Sequence, residues 1–267
     1  MFIETVLDYY AHHGRHDLPW RQSADGDGNL DPYHILVSEL MLQQTQVNRV
    51  LAKYAGFLEL FPDVRSLAKA DLGDVLRAWQ GLGYNRRARF LHHSAQMIVD
   101  AYDGTFPDMI SQLTTLPGVG VNTAGAILAY AWNKPAVFIE TNVRTVYIHH
   151  FFADHTEIED KALAQKITET LSCIDDYRTW YWALMDYGTH LKQTIGNLNK
   201  LSKSYTKQSR FEGSRRQIRG QVLRILAAGE QTELELIAQI PDERASDVLQ
   251  ALTREGLIKK RDNHYSL

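Results

Sequence analysis

The sequence of 267 residues holds a single cysteine, Cys173. One thiol excludes an internal disulfide framework and any four-cysteine metal site within this chain. No apolar stretch reaches the roughly 20 residues of a membrane-crossing helix. The first residues, MFIETVLDYYAHHGRHDLPW, lack the basic start and continuous apolar core of a secretory signal. Strand-type alternation is nearly absent before residue 257, and prolines number only seven. These absences point to a cytoplasmic, largely helical protein with no membrane partner. Apolar residues at 44% and charged residues at 23% are enough for a sizeable core.

The net charge of −3 conceals an asymmetry. Between Lys192 and Arg224 stand nine Lys and Arg against one acid, Glu212. A short basic belt on an acidic body suggests a polyanion held at one face, although a solvated linker would carry the same charge.

Helical periodicity runs through residues 33–60, 71–79, 87–101, 122–132, 143–152, 159–173 and 176–191. Glycine and proline fall between these stretches, at Phe61-Pro62, Gly81-Leu82-Gly83, Phe106-Pro107 and Pro117-Gly118-Val119-Gly120. The composition shifts at 192–213, which is polar, basic and poor in aliphatics, and reads as an irregular loop ending a first domain over 1–213. From 214 to 267 three amphipathic helices and a short hairpin follow. Thr232 and Glu235 have capping-box spacing, and Gly256 stands where a helix ends. The pattern resembles a winged helix-turn-helix, a module that binds DNA or docks proteins.

The most informative loop is Leu116-Pro117-Gly118-Val119-Gly120-Val121-Asn122-Thr123-Ala124. Its glycines reach conformations closed to other residues. A helix starting near Asn122 would aim free backbone N–H groups at an anion, so Leu116, Gly118, Gly120, Asn122 and Thr123 could hold a DNA phosphate without reading sequence. A second stretch, 137–146 or VFIETNVRTV, ends an apolar run in a carboxylate, Glu140.

LPGVGVNTAGAIL resembles the helix-hairpin-helix of the endonuclease III superfamily of DNA glycosylases. LPWR at 18–21, SELMLQQTQV at 38–47 and GLGYNRRAR at 81–89 resemble the MutY-type adenine glycosylases in order and spacing, and the resemblance covers about residues 5–190. It implies an all-α fold of two subdomains with a DNA-binding cleft. It also implies a substrate of double-stranded DNA carrying a mismatched or damaged base, and a nucleoid-associated, monomeric enzyme. Glu39 is then the acid on the base side, Glu140 the stabiliser of positive charge on the sugar, and Asn142 an aid in orienting Glu39 or water. Two carboxylates suit this chemistry because one must donate a proton while the other stays ionised. Glu39 lies in an apolar run that would raise its pKa. Gln43 and Tyr84 intrude into the duplex by the same resemblance, offsetting an unstacking cost of about a few kcal/mol. Gln44 offers amide groups to base edges, Arg86 and Arg89 reach phosphates, and Trp20 and Arg21 lie near the base pocket.

Four features stand apart. Glu140 and Thr141 stand where the family usually has Asp-Gly. Asn122 stands where bifunctional relatives carry a Schiff-base lysine, so a monofunctional enzyme that leaves the strand intact is expected. No cysteine follows Asp186-Tyr187-Gly188-Thr189-His190-Leu191, the entry to the family's iron–sulfur loop, so no cluster and no other cofactor is expected. The basic residues Lys203 and Lys207, with Tyr205, would touch DNA in its place. The residues left at the C-terminus do not match the family's sensor of 8-oxoguanine. Removal of mismatched adenine, including adenine opposite 8-oxoguanine, is the leading expectation. A thymine or uracil mismatch glycosylase and a catalytically weak binder of DNA structures are the alternatives.

Overall fold

The computed structural model describes residues 1–23 and 30–267. Among the described residues the chain forms α1 (Phe2–His13), α2 (Pro32–Leu42), α3 (Val47–Leu60), α4 (Val64–Lys69), α5 (Leu72–Ala78), α6 (Arg86–Tyr102), α7 (Ile110–Leu113), α8 (Val121–Trp132), α9 (Thr141–Phe151), α10 (Asp160–Leu171) and α11 (Tyr177–Thr194). It continues with α12 (Arg215–Ala228), β1 (Gln231–Thr232), α13 (Glu233–Gln239), α14 (Ala245–Arg254), β2 (Lys259–Arg261) and β3 (His264–Ser266). Short 3-10 turns occupy Pro19–Arg21 and Leu198–Leu201. The fold is all-α apart from one three-stranded antiparallel sheet in the order β1-β3-β2. No helix is long and apolar enough to cross a membrane, among the described residues.

The helices group into two compact units, each discontinuous in sequence. The first comprises Met1–Glu39, Asp108–Thr115 and Val119–Lys207. Its centre is the packing of α11 on α9, α1 and α8. Trp180, Tyr181, Tyr147 and Phe138 are fully buried there, and Phe138 stacks on Tyr181 at 3.9 Å. The second comprises Leu40–Pro107, Leu116–Gly118 and Gln208–Leu267. In it α6 packs on α4 and α5, and α12 packs on both α14 and α5. The three helices and hairpin at the C-terminus thus form part of this unit's own core. Lys259 pairs with Asp71 at 3.2 Å, and a Cβ on Gly73 would approach Leu267 to 3.3 Å. Thr232 and Glu235 form the capping box read from their spacing.

Two expectations about elements change. The periodic stretch 33–60 is not continuous, because Gln44 takes φ +55° between α2 and α3. No glycine or proline announces the break. It is stabilised from a distance by Arg87, a buried residue of α6. Arg87 Nη1 donates to the carbonyls of Leu40 (2.6 Å), Met41 (2.9 Å) and Gln43 (2.6 Å), acceptors that a continuing helix would have used itself. The basic stretch does not begin as a loop at 192, since α11 runs to Thr194 and stops before Gly196 at φ +93°. The chain beyond Gly196 is tied down as well. Asn199 is buried and donates to Thr145 Oγ1 at 2.9 Å, and Arg144 donates to Ser202 Oγ at 2.7 Å.

Candidate active site

Helix α2 is apolar nearly all round: Tyr33, Ile35, Leu36, Val37, Leu40 and Met41 are all buried. Glu39 therefore carries a carboxyl into an environment that penalises its ionised form. Among the described residues it makes no hydrogen bond that would offset this. Burial, assisted by the like charge of Glu140, pushes the Glu39 pKa up to about 8. The group is protonated at neutral pH although part of its surface stays accessible.

Glu140 reaches the same locality by another route. Residues 133–140 run without helix, and the apolar run alternates: Ala136 and Phe138 are buried, while Val137 and Ile139 are partly exposed. Tyr181 donates to Ala136 O at 2.5 Å. Asn122, in the first turn of α8, clasps the backbone of Ile139: its Oδ1 accepts from the Ile139 N–H at 3.1 Å and its Nδ2 donates to Ile139 O at 3.3 Å. The clasp sets the chain just before Glu140, which becomes the N-cap of α9 and accepts from the Thr141 N–H at 2.7 Å. A carboxylate is favoured there by the helix dipole. The carboxylate expected on the sugar side is therefore also the helix cap.

Tyr130 on α8 is buried, and its pKa is driven well above the ordinary value, first by burial and then by Glu39, with Arg21 opposing. Arg21 is buried too, its Nη1 and Nη2 donating to Asp186 at 2.8 and 3.0 Å. Burial works against the Asp186 carboxylate, but hydrogen bonds and charge from Arg21, then Arg15, outweigh it and hold its pKa below normal. Arg21 thus acts on Tyr130 while being anchored internally to Asp186. Trp20 is buried beside it in sequence. Asn142, one residue into the first turn of α9, has its Oδ1 2.7 Å from Lys192 Nζ on α11. Spacing and motif gave no reason to single out Tyr130 or Lys192. Both reach the carboxylates only because α8, α9 and α11 pack together.

In the second unit the expected DNA-reading residues form a group of their own. Tyr84 takes φ +47°, as unusual for a non-glycine as Gln44. Arg87 ties the two loops, because its Nη2 donates to Thr45 Oγ1 (2.9 Å), Gly83 O (3.0 Å) and Leu82 O (3.3 Å) while Nη1 holds the carbonyls before Gln44. Burial lowers the Arg87 pKa to about 10, which leaves it charged at neutral pH. Sequence reasoning passed over this residue between Arg86 and Arg89. The C-terminal stretch reaches the same loops. Arg216 Nη1 donates to Tyr84 OH at 2.5 Å, its guanidinium lies over that ring, and Gln208 Nε2 donates to Gln44 Oε1 at 3.3 Å. Gln43 lies in the turn that Arg87 holds.

Leu116 is buried, and Gly118 has φ +78° with Phe90 so close that a Cβ would approach it to 2.8 Å. Gly120 is the N-cap of α8, and nothing lies within 4 Å of where its Cβ would be. Thr123 follows in the first turn.

The arginines and lysines expected to be free for phosphates are largely engaged. Arg86 pairs with Glu255 at 3.1 Å, and Arg89 has its Nε buried and its guanidinium over Phe90. Lys203 pairs with Glu159 at 2.8 Å and Glu157 at 3.4 Å, and Tyr205 accepts from Asn197 at 3.4 Å. Of the nine cations in the basic belt, Lys200, Lys207, Arg215 and Arg224 are exposed without an ion pair or hydrogen bond among the described residues. The belt is a mixture of structural and available charge rather than a uniform face.

Comparison with known proteins gives consistent results. The model of a family described as HhH-GPD superfamily base excision DNA repair protein matches residues 37–172. An adenine DNA glycosylase of Buchnera aphidicola subsp. Baizongia pistaciae is 32% identical over 218 residues, 79% of this chain and 60% of that protein. A human adenine DNA glycosylase is 40% identical over 148 residues, 54% of this chain and 27% of that protein. The chain thus spans little more than half, or less, of the curated relatives it matches. Among solved structures, a thermostable thymine-DNA glycosylase superposes with a TM-score of 0.59 at 28% identity, covering 70% of this chain and 84% of that one. An endonuclease III–DNA complex superposes at 0.53 with 18% identity, over 71% of this chain and 81% of that one, a likeness of fold.

Proposed function

Because the chain belongs to the HhH-GPD superfamily of base excision DNA repair proteins, we propose that it is a monofunctional DNA N-glycosylase that removes adenine from mispaired duplex DNA. The observation that carries this reading is a carboxyl held protonated to about pH 8, Glu39, opposed to a second carboxylate at a helix N-cap, Glu140. Glu39 donates its proton to the departing base as the C–N bond breaks and its electron pair leaves with the base. Glu140 faces the positive charge left on the sugar. Water then adds to the anomeric carbon and returns a proton to Glu39. Asn142 and Tyr130 serve this site, Arg21 acts on Tyr130, and Trp20 is expected near the base. Gln43, Gln44 and Tyr84 enter the duplex, and the hairpin residues Leu116, Gly118, Gly120, Asn122 and Thr123 hold backbone phosphate. Lys207, exposed and without an ion pair among the described residues, adds charge for phosphate, with Tyr205 two residues before it in sequence, whereas Lys203, Arg86 and Arg89 are already engaged.

Asn122 supports the monofunctional reading, since an amide forms no Schiff base and here it is committed to the backbone of Ile139. Many relatives imply an iron–sulfur cluster, but the donors do not fit. The sequence carries one thiol, Cys173, and the segment after His190 offers lysine, glutamine and asparagine instead. The protein is proposed to be a cluster-free monomer acting on DNA in the cytoplasm. A colourless preparation without iron is expected, and a brown one containing iron would refute this.

Adenine is favoured by the curated relatives, and 8-oxoguanine is the opposite base we propose. The likeness to a thymine-DNA glycosylase gives a second reading, thymine or uracil opposite guanine. Duplexes with A:8-oxoG, A:G, G:T and G:U, treated with alkali after incubation, separate the two. Alkali-dependent product from A:8-oxoG that is lost in Glu39→Gln supports the first reading. Product from G:T or G:U alone supports the second, and strand cleavage without alkali overturns the monofunctional one.

A further inference from the structure

We propose that Lys192 is a positioning residue of the two-carboxylate site, whose ammonium fixes the Asn142 amide and sets the charge that Glu140 meets. The inference rests on the glycosylase reading above. It begins with the close approach of two helices. Helix α11 lies so near the first turn of α9 that a Cβ on Gly188 would come within 2.5 Å of Asn142 O. Four residues further on, Lys192 projects from the same face of α11. Its Nζ donates to Asn142 Oδ1 at 2.7 Å, and Asn142 Nδ2 turns toward Met185 Sδ at 3.9 Å. The amide is therefore gripped at both ends, by two residues of one helix, and has one orientation.

Stability alone does not account for a lysine here. The side chain is half-buried, and burial lowers its pKa from the ordinary value, with Glu140 alone opposing that shift. It also stands at the N-terminal end of α9, where the helix dipole disfavours a cation. An apolar residue could fill the same space without either cost. What the lysine supplies is positive charge beside Glu140. Among the described residues, the groups found to interact with Glu140 are its own cap donor Thr141 N–H, Glu39 on α2, Tyr130 on α8 and Lys192 on α11. Arg21 reaches Tyr130 from the other side. Glu39 is a like charge whenever ionised, and Tyr130 is neutral at working pH. Lys192 is thus the one cation in that set. Division of labour between the two carboxyls needs Glu140 charged while Glu39 keeps its proton, and a fixed ammonium favours that division.

The test is single-turnover excision from the A:8-oxoG duplex between about pH 5 and 9, with the wild type, Lys192→Met and Lys192→Arg. Duplex affinity and melting temperature are measured alongside. Lys192→Met is expected to lose about tenfold in rate, with the loss greatest on the acid side. Its duplex affinity and melting temperature should be unchanged or better. Lys192→Arg, which keeps the charge and a donor, should restore the rate on the acid side. A uniform fall at every pH, or a loss of duplex affinity with an unchanged pH profile, overturns the proposal. So does borohydride trapping of an abasic duplex that disappears in Lys192→Met, since the lysine would then be a nucleophile. A wild type inactive on every duplex would instead overturn the glycosylase reading itself.

Discussion

Replacing Glu39 with glutamine removes the proton donor, yet the same change should stabilise the protein above neutral pH. The unfolded chain titrates this carboxyl near 4.5, and the folded chain near 8. Between those values the native state binds more protons than the unfolded one, so stability falls as pH rises through that window. The wild type carries no penalty below about pH 4 and the full penalty above 8. At pH 7 the two values correspond to about 3 kcal/mol, and partial solvent access to Glu39 lowers that to about 1–3 kcal/mol. At pH 5 the penalty is about 1 kcal/mol or less. Glutamine has nearly the same shape and no charge to desolvate. Thermal unfolding of the wild type and Glu39→Gln at pH 5, 7 and 8 should therefore show a gap that opens with pH. At about 2–4 °C per kcal/mol for a chain of this size, Glu39→Gln should melt roughly 2–12 °C higher at pH 7. Excision by the wild type should decline as pH passes 8, and Glu39→Gln should be inactive throughout. A melting difference independent of pH, or a less stable Glu39→Gln at pH 8, would refute the account of Glu39 as a buried, protonated acid.

Arg87→Lys leaves one nitrogen to serve the seven acceptors now held by a guanidinium, so at least four go unmet. At about 1.5–3 kcal/mol for each charged hydrogen bond, a loss of roughly 3 kcal/mol or more and a melting drop of about 6 °C or more are expected by calorimetry. Excision should fall with it, because the loops of Gln44 and Tyr84 lose their shared anchor, and an unchanged rate would show that the anchor is irrelevant to function. Glu140→Gln should cost about 10²-fold or more in single-turnover rate, whereas Glu140→Asp keeps the carboxylate and an N-cap and should stay within about tenfold of the wild type. Equal rates in all three proteins would reduce Glu140 to a helix cap. Combined charge reversal of Lys207, Arg215 and Arg224 should weaken duplex binding and flatten its dependence on salt by up to about three units of slope, read by titration at several salt concentrations. An unaltered slope would place DNA elsewhere.

Much of the chemistry is legible in the linear order. Glu39 lies inside an apolar helix pattern, so the direction of its pKa shift is legible in the sequence, although the burial itself and the added push from Glu140 come from packing. The cap at Glu140, the capping box at Thr232 and the turn at Gly118 are local, set by residues within a few positions. The break at Gln44 is not legible, because nothing near it disfavours helix, and the interaction that rewards a positive φ there comes from Arg87 more than forty residues away. The basic belt misleads for a related reason. Charge counts are additive along the chain, but Lys203, Arg210 and Arg219 meet Glu157 and Glu159, Glu212, and Glu255, and three of those four acids lie far off in sequence.

The linear order is enough to establish a helical protein of the hairpin-bearing repair family, with two carboxylates and no thiol set for a cluster. Those conclusions rest on short-range periodicity, residue chemistry and contiguous motifs, all of which survive without a fold. Which groups surround the carboxylates is settled only by packing. Asn122 clasping Ile139, Tyr130 feeling both acids, and Lys192 holding Asn142 depend on α8, α9 and α11 meeting at close range, with Gly188 permitting the nearest approach. Electrostatic influence depends on distance and burial, and neither is encoded at the position of the residue that exerts it.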